Sequence, residues 1–421
     1  MRVLVVGNGA REDALSWRIA RSPSCEAVFA APGNAGTALR GENWELNATD
    51  GKAIAQRCVT ERIDLVVLGP ETAIAAGVGD RLRDAGIAVF GPNRSGGRLE
   101  SSKIFAKRFM ERQAIPTARA AIVHSLDGAQ KALDEWNGAV VVKADGLAAG
   151  KGVVLTSDAG AARAVLDDWY GRGKIPGGGS DVVLEERLEG REVSIFALCD
   201  GRAIVPIGGA CDYKRAGDGD TGPNTGGMGA YSPPQGFPSE LYDRVRERIL
   251  APLLRGLEAE REEYLGVIYC GLMWTARGPY VVEFNARFGD PETQVLLPRI
   301  GGDFAALLDS VARGAMDLSK VSTTHQSCVG VVLATSDYPR SSTPLDGLSA
   351  DVSLGDGALA FWGPSRLTGG AVSSGGGRVL TVTALGDELS LARDRAYAAV
   401  KQLAGRLGAD ALTYRTDIAA L

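Results

Sequence analysis

Four short apolar runs, each stopped by a turn rich in glycine or proline, constrain the first hundred residues more than any other feature. Residues 2–6 run into Gly7-Asn8-Gly9, and residues 27–31 into Pro32-Gly33-Asn34-Ala35-Gly36-Thr37. Residues 64–68 run into Gly69-Pro70-Glu71, and residues 87–90 into Gly91-Pro92. Continuous aliphatic runs of this length read as buried strands, and the helical spans between them make each a parallel crossover unit. The pattern predicts a Rossmann-like, doubly wound α/β sheet whose strands end on one edge, where such sheets bind ligands. The first turn is a partial dinucleotide fingerprint, because Glu12 stands where the third glycine would fall. It offers instead a helix N-terminus able to hold an anion.

A second feature organises the middle of the chain. The runs 139–142 and 153–156 flank Lys143-Ala144-Asp145-Gly146-Leu147-Ala148-Ala149-Gly150-Lys151-Gly152. Two strands joined by a glycine-rich, lysine-bearing loop form a hairpin suited to covering phosphates, since glycine admits bare N–H groups and lysine adds charge. A P-loop is excluded, because a strand follows where that motif needs a helix. Helices are expected over 98–113, with Lys103 near the start, and over 158–170 and 239–261. The glycine-rich stretch 171–180 reads as a linker, and Glu185 and Glu189 as solvated acids. The stretch 217–233 reads as an ordered functional loop, because Met228 and Tyr231 interrupt its glycines. A hairpin is expected over 267–292. Alternation along its second strand points Glu283, Asn285 and Arg287 one way and Phe284 the other. An acid, an amide and a guanidinium on one face suit a divalent cation with phosphate.

Composition removes several classes. At 421 residues the chain holds two to four domains, and its net charge of -5 argues against nucleic-acid binding. No apolar run reaches membrane-spanning length, and the N-terminal run is too short for a signal sequence. Six scattered cysteines without a C-x-x-C spacing imply reduced thiols and a cytoplasmic location. With two histidines, His124 and His325, a His-rich zinc site is excluded. The chemistry is expected to rest on Lys, Arg, carboxylates and backbone amides. From about 319 an α+β module begins, with no visible catalytic constellation and a packing role.

Residues 143–153, Gly-Pro-Asn-Thr-Gly-Gly-Met-Gly-Ala-Tyr-Ser-Pro at 222–233 and Glu-Phe-Asn-Ala-Arg-Phe-Gly-Asp-Pro-Glu-Thr-Gln at 283–294 resemble the phosphoribosylamine–glycine ligases. These are the glycinamide ribonucleotide synthetases of purine biosynthesis, within the ATP-grasp superfamily. Residues 32–37 and 69–71 also match, so the resemblance spans nearly the whole chain. It implies an N-terminal substrate domain over 1–101, an ATP-grasp domain over 102–318 with a lid at about 117–188, and a C-terminal module over 319–421. It implies ATP held by Lys103, Lys143, Gly150, Lys151 and Gly152 at its phosphates, and by Glu186, Leu188 and Glu192 at adenine and ribose. Mg²⁺ or Mn²⁺ would bind Glu283 and Asn285. Catalysis would draw on Arg287, Lys143, Asp212 and Lys214. Glycine and phosphoribosylamine would meet Asn8, Gly9, Gly33, Asn34, Gly36, Thr37, Glu71, Asn224, Thr225, Gly226, Gly227 and Arg287, and the 224–229 amides would stabilise charged oxygens. A monomer without nucleic-acid or membrane partners is expected.

The chain departs from that pattern. Asp13 replaces the usual His, placing an anion beside the expected phosphosugar site unless Arg11 neutralises it. Thr72, Cys211, Tyr213 and Arg187 also differ from the usual residues. A divergent ATP-grasp ligase with another amine or acid is therefore a second reading. A nucleotide-binding regulator is a third, disfavoured because the metal pair is intact.

Overall fold

A computed structural model describes residues 1–136, 138–148, 152–173, 175–355, 357–407 and 411–420. The expected N-terminal sheet is present and entirely parallel. Its spatial order is Glu42–Asn43, Ala27–Pro32, Arg2–Gly7, Leu65–Leu68, Ala88–Phe90, with the two-residue edge strand Glu42–Asn43 added to the four expected. Both faces are covered, so Val3 to Val6 and Leu65 to Val67 are fully buried, as all-parallel strands require.

The lid is a small antiparallel sheet ordered Ala120–Val123, Val182–Glu186, Val140–Ala144, Val153–Leu155. Helices Leu126–Asp134 and Ala159–Gly171 cover one face. Val140, Val142, Val182 and Leu184 point into a core with Leu133, Leu166 and Trp169 that belongs to the lid alone. The described residues of the stretch 171–180, expected as a linker, are mostly exposed and are anchored to the lid at two points. Ile175 is buried in the lid core, and the Tyr170 hydroxyl donates to Ser180 O at 3.0 Å.

The body is a nine-stranded sheet. Eight of its strands run in the order Gly278–Asn285, Leu265–Thr275, Arg191–Asp200, Ile204–Asp212, Gly229–Ser232, Ser327–Thr335, Arg378–Gly386, Ala358–Trp362, and the ninth, Leu412–Thr413, pairs with Ser327–Thr335 off that path. The C-terminal module therefore continues the sheet. Gly229 pairs with Val331 and Ser232 with Cys328 along an antiparallel seam. The stretch 217–233 is ordered, as expected, and supplies that seam strand after a small hairpin of Arg215–Gly217 and Thr221–Asn224. Helix Leu389–Leu407 packs on the C-terminal strands. All six cysteines are free, and among the described residues no helix is long and apolar enough to cross a membrane.

Candidate active site

The lid meets the body through charge. Alternation that buries Val182 and Leu184 in the lid core turns Glu185 to the opposite face, where Lys143 also points. Glu185 bonds Lys143 at 2.7 Å and Lys107, on the helix Lys103–Arg112, at 2.9 Å. All three are buried, so Glu185 is not a solvated acid. Burial opposes its charge, but Lys143 and then Lys107 outweigh burial and hold the carboxyl below the usual range. Lys143 also donates to Val282 O at 3.1 Å, tying the lid to the body. Two lysines against one carboxylate leave a buried net charge of +1, which an incoming anion would relieve.

The glycine-rich loop folds onto the start of the helix Lys103–Arg112. Lys103 Nζ donates to Gly146 O at 2.9 Å, and the Asp145 carboxylate accepts the Ile104 N–H at 3.1 Å. Burial lowers the Lys103 pKa. Gly152 lies within the described residues, and the expected phosphate contacts Gly150 and Lys151 lie outside them. At the expected nucleoside end, the Glu186 N–H is used by Arg119 O at 3.0 Å, and Glu192 is ion-paired with Lys214. No hydrogen bond is recorded for Leu188 among the described residues.

Glu283 and Asn285 sit two residues apart on the strand Gly278–Asn285, facing Gly271 and Tyr269 across the sheet. Glu283 is exposed, and Phe284 is buried on the other face. Among the described residues, no group of three or more His, Cys, Asp or Glu could hold a metal, and Glu283 has no ion pair. Two hard oxygen donors fit two positions of a Mg²⁺-type cation that takes its other ligands from phosphates and water. The strand stops at Asn285, so alternation does not reach Arg287. The Arg287 guanidinium turns instead to Glu100 at 2.9 Å, Glu71 at 3.2 Å and Phe288 O at 3.1 Å.

Beside Lys214 lie two acids. Asp212 is 4.0 Å from Lys214, and the buried Glu292 accepts the Tyr269 hydroxyl at 3.1 Å. Burial, then the presence of the other acid, raises Asp212 against the pull of Lys214, and burial raises Glu292. Burial opposes the charge on Lys214, but Asp212, Glu192 and Glu283 outweigh it and raise its pKa.

Two expectations about backbone are corrected. Thr225 N–H donates to Lys214 O, Gly226 N–H to Tyr338 Oη, Gly227 N–H to Thr225 Oγ1 and Met228 N–H to Tyr213 O. Those amides close their own turn and are not free for charged oxygens. Gly33, Asn34, Gly36 and Thr37 are likewise buried. Asn34 Nδ2 donates to Asn8 O and Gly9 O at 3.0 and 2.9 Å, and Thr37 Oγ1 donates to Asn34 O. This turn supports the exposed Asn8 from beneath instead of presenting its own side chains.

Sequence reasoning passed over Lys107, Glu292, Glu100 and Arg378, and misread Glu185. Alternation within 182–186 was the signal that could have set Glu185 on the face away from the lid core, but in sequence the acid reads as solvated. Glu292 lay inside a quoted motif, but nothing local marks an acid at a short helix start as buried. Glu100 accepts the Ala286 N–H at 2.8 Å, and burial pushes its carboxyl up to about 6 despite Arg287. Arg378 comes from the C-terminal module and reaches Gly226 O at 2.7 Å, Asp290 O at 3.0 Å and Asp290 Oδ1 at 3.3 Å. The module thus does more than pack.

Family models of phosphoribosylglycinamide synthetase match the chain in order: the N domain over residues 1–100, the ATP-grasp domain over 101–293 and the C domain over 328–421. The chain belongs to the phosphoribosylglycinamide synthetase family. A phosphoribosylamine–glycine ligase of Phenylobacterium zucineum is 45% identical over 96% of this chain and 96% of that protein. One of Leifsonia xyli is 44% identical over 100% of both chains. The crystal structure of phosphoribosylamine–glycine ligase from Thermotoga maritima superposes with a TM-score of 0.84 at 32% identity, covering 99% of this chain and 100% of that one. A biotin carboxylase domain of Hydrogenobacter thermophilus, at 15% identity and a TM-score of 0.74, shares the fold. The lid, body and cleft are thus those of an ATP-grasp synthetase, a fold that works with ATP and a divalent metal.

Within this synthetase, the departure at position 13 is closed off from any ligand. Asp13 is 0% exposed and pairs at 3.6 Å with Arg40, while Arg11 is engaged by Glu12 at 2.5 Å. The neutralising arginine is Arg40, and no anion is added to an open phosphosugar site. Thr72 is exposed, and the Tyr213 hydroxyl accepts the Ala419 N–H at 2.9 Å.

Proposed function

We propose that the chain is an ATP-dependent ligase that joins glycine to 5-phosphoribosylamine through glycyl phosphate, giving glycinamide ribonucleotide, ADP and phosphate. The observation that carries the reading is the buried Lys107–Glu185–Lys143 trio, one positive charge in excess, which Lys143 ties to Val282 O on the strand that carries Glu283. Full-length relatives at 41–45% identity carry the ligase name, which supports this substrate pair over a divergent one. The burial of Asp13 removes the main reason for the alternative.

In this reading the N-terminal substrate domain covers 1–101, the ATP-grasp domain 102–318 with its lid at about 117–188, and the C-terminal module 319–421. Lys103, Lys143 and the loop up to Gly152 neutralise the ATP phosphates, with Gly150 and Lys151 in the same loop. Glu186, Leu188 and Glu192 line the nucleoside end. Glu283 and Asn285 would hold Mg²⁺ or Mn²⁺, and the cation would supply charge screening at the phosphates. Asp212 and Glu292, two buried acids that repel one another, form a seat for the glycine ammonium. Lys214 and Arg287 face its carboxylate. That carboxylate attacks the γ-phosphorus and ADP leaves, which converts a poor electrophile into a mixed anhydride. The amine nitrogen of phosphoribosylamine, held at Asn8, Gly9 and Glu71, then attacks the carbonyl carbon and phosphate leaves. Glu192 holds Lys214, and Glu100 with Glu71 holds Arg287, so both positive charges are positioned before the reaction begins. The enzyme acts as a cytoplasmic monomer on small molecules, without nucleic-acid or membrane partners.

The test is ADP release with ATP, Mg²⁺ and glycine, with and without freshly generated phosphoribosylamine. Release that needs both, with glycinamide ribonucleotide formed, is expected. Release indifferent to phosphoribosylamine overturns the substrate assignment. Glu283→Ala is expected to lower kcat by about a hundredfold or more. Turnover at the parent rate would remove the metal assignment.

A further inference from the structure

The peptide of Trp362, at the end of the strand Ala358–Trp362, is gripped from both sides by the N-terminal domain. Its N–H donates to Asp13 Oδ2 at 2.8 Å, and its carbonyl accepts from Asn34 Nδ2 at 2.8 Å. The same Asn34 amide reaches Asn8 O and Gly9 O, and Asn34 Oδ1 caps the next turn by accepting the Thr37 N–H at 2.9 Å. Alongside, the Ala35 N–H donates to Ser365 Oγ at 3.2 Å. Asp13 also sets what can stand at position 36. A Cβ on Gly36 would lie 1.8 Å from Asp13 Oδ2, so glycine is demanded there by the carboxylate itself. The second oxygen, Asp13 Oδ1, has no hydrogen bond and faces Arg40 Nε, which also has none.

We propose that Asp13 is a positioning residue for the amine substrate: by holding Trp362 and abutting Gly36, it locks the C-terminal module onto the 33–37 turn and so fixes the Asn8–Gly9 edge where the phosphosugar binds. The inference rests on the functional reading above and names a residue for it. A half-satisfied buried carboxylate is a poor packing element. Burial pushes its carboxyl up to about 6 although Arg40 opposes the shift. What the carboxylate supplies is an acceptor at one fixed point, aimed at one peptide of another module.

The experiment compares the full-length parent with Asp13→Ala and Asp13→Asn. The readouts are calorimetric binding of glycinamide ribonucleotide and of ATP, amide exchange across 358–365, and Tm. Loss of a hydrogen bond to a charged acceptor should weaken glycinamide ribonucleotide binding about tenfold in Asp13→Ala. ATP affinity should stay unchanged, and exchange at Trp362 should quicken. Asp13→Asn keeps an acceptor for the Trp362 N–H and should recover most of the binding. Parent-like product affinity in Asp13→Ala overturns the proposal. So does equal weakening of product and ATP in both variants, which marks general destabilisation. A parent that binds ATP but no glycinamide ribonucleotide overturns the functional reading and the substrate half of this proposal, while exchange at Trp362 still decides the clamp.

Discussion

The lid and the C-terminal module both border the cleft, but they are joined to the body by different forces. The lid keeps its own core around Leu166 and Trp169 and reaches the body through Lys143, Glu185 and a few hydrogen bonds. The module shares the nine-stranded sheet and contributes Val329, Val331, Val382 and Trp362 to the large common core. A separate core with a polar junction can open without exposing much apolar surface, whereas a shared sheet cannot. The lid is joined so that it can move, and the C-terminal module so that it stays.

Breaking the polar junction is expected to have the largest effect. Glu185→Ala leaves Lys107 and Lys143 buried without a counter-charge, at about 3–5 kcal/mol. ATP should restore more thermal stability to this variant than to the parent, measured by Tm with and without nucleotide. Equal shifts would separate the trio from the phosphates.

Core substitutions sharpen the contrast. Leu166→Ala should cost about 3 kcal/mol within the lid and appear in calorimetry as an early, separate transition. Gly229→Val should move the main transition instead, by about 2 kcal/mol, because overpacking strains a shared seam. A Cβ at Gly229 would stand 2.7 Å from Gly330 O and 2.9 Å from Ile418 Cδ1. A single transition in both variants would show that lid and body unfold together.

The smallest effect is a pH dependence of opposite sign in the two regions. Asp13 and Glu100, outside the lid, are pushed up to about 6 mainly by burial. Their folded pKa exceeds the unfolded one, so their ionised forms cost stability at high pH, and that cost fades as pH falls through 6. Each is half protonated at pH 6 and gains about 0.4 kcal/mol there relative to pH 8. In the lid, Asp181 is held low by the hydrogen bond from His124. Its contribution is present above the unfolded carboxylate value and disappears only below it. Urea unfolding at pH 8 and 6 should show this gain, and Glu100→Gln should halve it.

Much of the architecture was legible because it depends on local periodicity. The strands of residues 2–90, the hairpin 139–156 and the Glu283–Asn285 pair follow from alternation and from turns that glycine or proline alone permits. The motifs in 143–153 and 283–294 carried the family. Legibility failed where a residue's partner lies far along the chain. Glu185 looked solvated because Lys107 is 78 residues away, and Asp13 looked like an intruding anion because Trp362 lies 349 residues on. The 224–229 amides looked available because Tyr338 and the Tyr213 carbonyl were out of view.

The sequence by itself determined the strand–turn–helix order, the glycine-rich hairpin, the shared face of Glu283 and Asn285, and the family. Tertiary structure decided which charges are paired, which glycine-loop amides are already spent, and that the C-terminal strands extend the catalytic sheet and bring Arg378 to it. The physical reason is range. Backbone periodicity and turn chemistry act over a few residues and are written in consecutive letters. The burial of a charge and the choice of its partner depend on which distant segments the core brings together.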